Sequence, residues 1–245
     1  MNVRREGDAF VAEENGELVG SLQVEPDGGV VLKLREPREG VALTLLRAAA
    51  ADVQGEEPDD QLPSFGSVHL QTDDPGAVVK LVERLVPRVK ASGVTVVSPA
   101  RNGWVAVYDE VADRDPDKLR ALGRELSSGS GYVTLIIGVE FGRIVHVIAM
   151  ERGRLMDEYV SVPSYRQVAP GDAIALRANP TVLSRLTGAE PARIRAVVRT
   201  ADSPEELPPA EELIADVAAA LGLEGADYGF EQARELPGAV LVEHA

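Results

Sequence analysis

Asp109, Glu110, Asp157 and Tyr159 are the residues whose types and places could do chemistry. The first two lie in the run Tyr108-Asp109-Glu110-Val111-Ala112-Asp113-Arg114-Asp115-Pro116-Asp117, the others in Gly153-Arg154-Leu155-Met156-Asp157-Glu158-Tyr159. Strand alternation puts Asp157 and Tyr159 on one face and Glu158 on the other. The acid–base couple on offer is therefore Asp157 with Asp109 or Glu110 from a neighbouring strand end. The competing reading is charge that guards a sheet edge against aggregation. Asp113, Asp115 and Asp117 take the first three spacings of a calcium loop, but Lys118 and Arg124 stand where its glycine and bidentate glutamate belong. No metal site is expected. Asp115 reads instead as a helix N-cap, with Asp113 and Asp117 favourable near the helix start.

The chain has three histidines and no cysteine. That excludes disulfides, thiolate nucleophiles and cysteine-ligated metals. His146 alternates with Ile144, Ile148 and Met150, and His69 lies between Val68 and Leu70; both read as core residues, and His244 falls in the tail. Nucleophile-elbow, phosphate-loop, zinc-protease and dinucleotide patterns are all missing. Trp104, Tyr108, Tyr159 and Tyr165 stand out where only 4% of residues are aromatic, either as a recognition surface or as core anchors.

The 245 residues carry 25 basic against 40 acidic side chains, a net charge of −15. Such a balance repels nucleic acid and anionic lipid, so neither is an expected partner. A protein or a small molecule is the partner class left open. No apolar run approaches the ~20 residues of a membrane span, and the amino terminus lacks a secretory pattern, so a soluble cytoplasmic protein is expected.

Residues 9–35 read as a hairpin or meander turning at Asn15-Gly16 and Pro26-Asp27-Gly28-Gly29, and residues 40–54 have helical spacing. Residues 55–65 are acidic, contain two prolines and read as a linker. Beyond them Asp74-Pro75 and Asp115-Pro116 each open a helix between strands. The order over 66–162 is β-α-β-β-α-β-β-β. Asn179-Pro180, Glu190-Pro191 and Ser203-Pro204 look like helix starts. A longer amphipathic helix follows Pro208-Pro209, and Gly238 to Glu243 reads as a short strand.

Three resemblances add to this. The segments FVAEENGELVGSLQV and VVLKLREPREGVALTLLRAAA resemble the hairpin, strand and helix of GNAT acetyltransferases. That likeness implies coenzyme A held at a helix N-terminus, with Gly40 and Ala42 as cofactor-binding candidates. Pro37 occupies the loop's leading basic position and cannot donate to phosphate. Residues 182–199, VLSRLTGAEPARIRAVVR, resemble a DNA-binding helix-turn-helix, which implies Arg193, Arg195 and Arg199 as phosphate or guanine contacts. Glu190 at the start of the would-be recognition helix departs from it. Finally, GWVAVYDE, LRALGRELS and GRLMDEYVSVPSY resemble an uncharacterised bacterial family over residues 66–230, which implies a boundary near 60 and no activity.

The expected class is α+β. A ferredoxin-like (βαββαβ) sheet domain with extra antiparallel strands spans 66–165. A small N-terminal β-hairpin and helix unit spans 1–60, and a helical C-terminal region spans 166–245. The expected function is a non-catalytic binding or regulatory module without a cofactor. A GNAT-like acyltransferase using acetyl-CoA and a helix-turn-helix regulator are the alternatives.

Overall fold

Helices begin at the two Asp-Pro steps because each aspartate caps them. Asp74 Oδ1 accepts from Ala77 N at 2.9 Å, and Asp115 Oδ1 from Lys118 N at 3.1 Å. Proline at the first helical position gives up only an N–H the helix does not use. These steps start α1 (Pro75–Val89) and α2 (Pro116–Ser130), which bury one stripe each, Val78, Leu81, Val82 and Leu85 on α1 and Leu119, Leu122 and Leu126 on α2. The computed structural model describes residues 2–6, 9–14, 17–24, 30–35, 42, 45, 64–89, 93–166 and 172–244. Its contacts divide the chain into two units, Met1–Gln61 and Leu62–Ala245.

Among the described residues the protein is mixed α+β with two antiparallel sheets. In the first unit β1 (Asn2–Glu6), β2 (Ala9–Glu14), β3 (Glu17–Val24) and β4 (Val30–Leu34) form a meander in chain order, so the expected hairpin gains β1 as an added strand. Phe10, Ala12, Leu22 and Leu45 make its core. Ala42 and Leu45 are helical. Pro37, Gly40 and the acidic stretch 55–63 lie outside the described residues.

The second unit is built on β5 (Phe65–Gln71), β6 (Val94–Val97), β7 (Trp104–Asp109), β8 (Val133–Glu140), β9 (Ile144–Glu151), β10 (Arg154–Val160) and β11 (Val240–Glu243). They run in the order β10-β9-β8-β5-β7-β6-β11. The C-terminal strand therefore closes the edge beside β6, and Val242 enters the core.

Helices α1 and α2 cover one face, over Val68, Leu70, Val105, Val107 and Ile136. The C-terminal helices are α3 (Pro180–Thr187), α4 (Pro191–Val197), α5 (Ala210–Leu221) and α6 (Phe230–Arg234). Leu183, Ile194, Ile214 and Val217 from this group pack over Leu135, Ile137, Val145 and Val147 on the other face. With both faces covered, β8 and β9 are apolar on alternate and intervening residues alike, as doubly covered strands must be. Two boundaries differ from expectation. Ser203-Pro204 starts only a three-residue 3-10 turn, and β10 stops at Val160, where the chain turns into the 3-10 segment Pro163–Arg166.

Candidate functional site

The expected acid–base couple does not assemble. Asp109 ends β7, whereas Asp157 lies on the edge strand β10, with β5, β8 and β9 between them. Four inter-strand steps amount to about 19 Å. The hairpins after β8 carry the chain away from β7, which sequence spacing alone could not reveal. Asp109 is buried and spent on its own corner, accepting from Thr95 Oγ1 at 2.9 Å, Ala112 N at 2.9 Å and Val111 N at 3.2 Å. Glu110 beside it is exposed. Asp113 accepts from Gly66 N at 3.3 Å, and burial raises its pKa against that bond and a second from Phe230 N–H. Among the described residues no group of three His, Asp or Glu side chains is placed to hold a metal ion.

Each histidine is held in a contact that serves the fold. His69 Nε2 lies 2.9 Å from Ser67 Oγ, the pairing a serine nucleophile would use, but both are fully buried. Burial lowers the His69 pKa to about 3, so the ring stays neutral at ordinary pH. His244 Nε2 lies 3.0 Å from Thr95 Oγ1. The one hydroxyl proton of Thr95 goes to Asp109, so His244 must donate to the threonine oxygen rather than take its proton. This polarity is the reverse of a nucleophile–base pair, and it pins the C-terminal strand. His146 Nδ1 lies 3.1 Å from Glu140 Oε1, which also receives Arg166 Nη2. Burial of Glu140 works against its charge, yet His146 and Arg166 together hold the pKa below the ordinary carboxylate value. Sequence reading passed over this cluster because Glu140 and Arg166 are remote in the chain and neither sits in a motif.

Asp157 and Tyr159 share a face, as alternation predicts, and their partners show what they do. Asp157 Oδ2 accepts from Asn179 N at 2.8 Å, and Asn179 in turn caps α3 by accepting from Thr181 N and Val182 N. The Tyr159 hydroxyl donates to Arg199 O, just beyond α4. Burial pushes this phenol above its usual range, so it remains a donor. The two residues thus grip both ends of the α3–α4 pair. Glu158 faces the opposite side and takes both Arg120 guanidinium nitrogens at 2.8 and 2.9 Å.

The pair so held is a helix, a tight turn and a helix. Gly188 makes the turn with φ +78°, a left-handed conformation that glycine adopts without strain. Leu183, Leu186 and Ile194 point inward. Arg177, Arg185, Arg193, Arg195 and Arg199 are exposed, and Glu190 is the only acidic residue from 173 to 201. The local excess of arginine could have been read from sequence by contrast with the acidic whole. In the first unit, Leu18, Val19, Gly20, Lys33, Leu34 and Arg35 line an open groove across β3 and β4. Of the two cofactor candidates, Gly40 is not described and Ala42 lies on a helical turn. No protein-family model matches the sequence, and no curated protein and no solved structure shows significant similarity to it.

Proposed function

We propose that this chain is a non-catalytic binding or regulatory module of the bacterial cytoplasm, with a ferredoxin-like core at the centre of its second unit. The order β8-β5-β7-β6, with α1 and α2 on one face, supports that core. The observation that carries the functional reading is that three of the four candidate catalytic groups are engaged by the fold, Glu110 alone being exposed. Asp109, Asp157 and Tyr159 bond to the fold, and the Ser67–His69 pair is sealed from substrate. The second unit also exposes an arginine-bearing helix pair, a feature for binding rather than bond making. No helix among the described residues is long and apolar enough to cross a membrane.

One observation favours acyl transfer as a second reading. Lys33, on β4, and Arg35, just past its end, line the β3–β4 groove, on the side of the chain that leads toward Ala42. Thermal melting with millimolar acetyl-CoA decides between the two. The binding-module reading expects no shift. A rise in Tm that grows with ligand concentration would replace it with the enzyme, because a ligand that binds the native state must stabilise it.

A further inference from the structure

We infer that the exposed side of the α3–α4 pair is a docking surface for an acidic amphipathic segment of a protein partner. This rests on the binding-module reading and names the partner's chemistry. Three features of the pair carry it.

The first is charge. Five arginines crowd 173–201 against Glu190, in a chain with 25 basic and 40 acidic residues. Several cations elsewhere in the unit meet carboxylates: Arg120 with Glu158, Arg143 with Glu205, Arg166 with Glu140 and Arg234 with Glu231. The exposed arginines of the pair have no such neighbour in their own stretch except Glu190, whose side chain makes no cap bond.

The second is shape. Ile194 is the buried side of α4. Ala192 and Ala196, one turn apart, lie on the side away from it, and both are exposed. Arg193 and Arg195 flank that strip left and right, about 100° from Ile194 in either direction. A low apolar ridge rimmed by guanidiniums matches a segment with an apolar stripe and flanking carboxylates, each able to take a forked arginine contact.

The third is rigidity. Asp157 and Tyr159 hold the ends of the pair, and Leu183, Leu186 and Ile194 root it in the core. The surface is therefore organised before a partner arrives, which lowers the ordering cost of binding.

Nucleic acid fits this surface less well. A duplex presents a charge every ~1.7 Å and would extend past the pair along an acidic molecule. Glu190 also stands at the leading end of α4, where a phosphate would approach. A short peptide touches the patch alone, and at physiological salt charges beyond about 8 Å are screened.

The test uses the full chain and a fluorescent synthetic peptide of about five helical turns, with Leu at helical spacing and Glu elsewhere. A second peptide carries Gln in place of every Glu. The Glu peptide is expected to bind in anisotropy titrations, weakening as salt rises, and the Gln peptide to bind about tenfold more weakly. Arg193→Glu with Arg195→Glu is expected to cost about tenfold for the Glu peptide, and Arg88→Glu, at an exposed site on α1, nothing. Tyr159→Phe is expected to weaken peptide binding about threefold while melting as a folded protein, because it loosens only the end of α4. Equal binding of the two peptides, or an unchanged affinity in the double arginine variant, would overturn the inference. So would a DNA duplex of similar length that binds more tightly than the peptide and loses that affinity in the same variant. An acetyl-CoA shift would overturn the non-catalytic reading without touching these titrations, so the two failures are separable.

Discussion

Replacing Glu140 by Gln tests whether the Glu140–His146–Arg166 cluster ties the end of β8 to the segment after β10. Glu140 and His146 side chains are 3% and 4% exposed, and Arg166 28%. Gln keeps the shape and one acceptor but removes the charge. Breaking a fully buried ion pair by changing one partner costs about 3–5 kcal/mol. Arg166 reaches water in part, so the expected loss is nearer 2–3 kcal/mol. Urea unfolding should show it as a lower midpoint at unchanged slope. The pH dependence has a definite sign. The folded-state pKa of Glu140 lies below its unfolded value of 4.5. Its stabilisation is therefore present above that value and is lost as pH falls through the lower, folded pKa. The wild type should lose stability more steeply than Glu140→Gln in that acid window, and the two curves should converge. A variant within about 0.5 kcal/mol of wild type at neutral pH, with the same acid slope, would refute the reasoning.

Two further substitutions probe the sheet and its edge. A Cβ at Gly138 would stand 2.6 Å from Phe65 O and 3.0 Å from Gly66 Cα, both backbone atoms that cannot swing aside. Gly138→Ala should cost roughly 1–3 kcal/mol in urea unfolding, while Gly93→Ala, with nothing within 4 Å of the added carbon, should stay within about 0.5 kcal/mol. Asp157→Asn keeps an acceptor for Asn179 N and removes a charge that burial, and then the neighbouring Glu158, both disfavour. The wild-type pKa is raised, so the variant should melt no lower at pH 7, and any advantage should fade as pH falls toward 3.8 and Asp157 is neutral in both states. A clear drop in Tm at pH 7 would show that the charge itself holds α3.

Local chemistry made much of the second unit legible. Asp74-Pro75 and Asp115-Pro116 announced their helices, since cap and proline act within four residues. Strand alternation set Asp157 and Tyr159 on one face and Glu158 on the other, and the partners of all three obey it. What spacing could not carry was lateral order. The place of β10 at the far edge, with three strands between it and β7, depends on which side of β5 the strand β8 takes. The carboxylate couple failed for that reason. The cluster at Glu140 was equally hidden, because its three members meet only after β9, β10 and the turn at Pro163–Arg166 have folded back.

The covering of the second sheet face decides where binding can occur. A sheet with helices on one side only leaves an open face on which a ligand can lie. Here Leu135, Ile137, Val145 and Val147 on that face are already buried under Leu183, Ile194, Ile214 and Val217. Uncovering them would forfeit about 1.5–3 kcal/mol for each large side chain exposed, more than a modest ligand returns. On the proposed reading, recognition by this unit would therefore fall to the outer layer. In that layer α3 and α4 present short side chains and arginines outward while the sheet holds them from below, so under the proposed docking Asp157 and Tyr159 would act by positioning the helices and not by touching the partner.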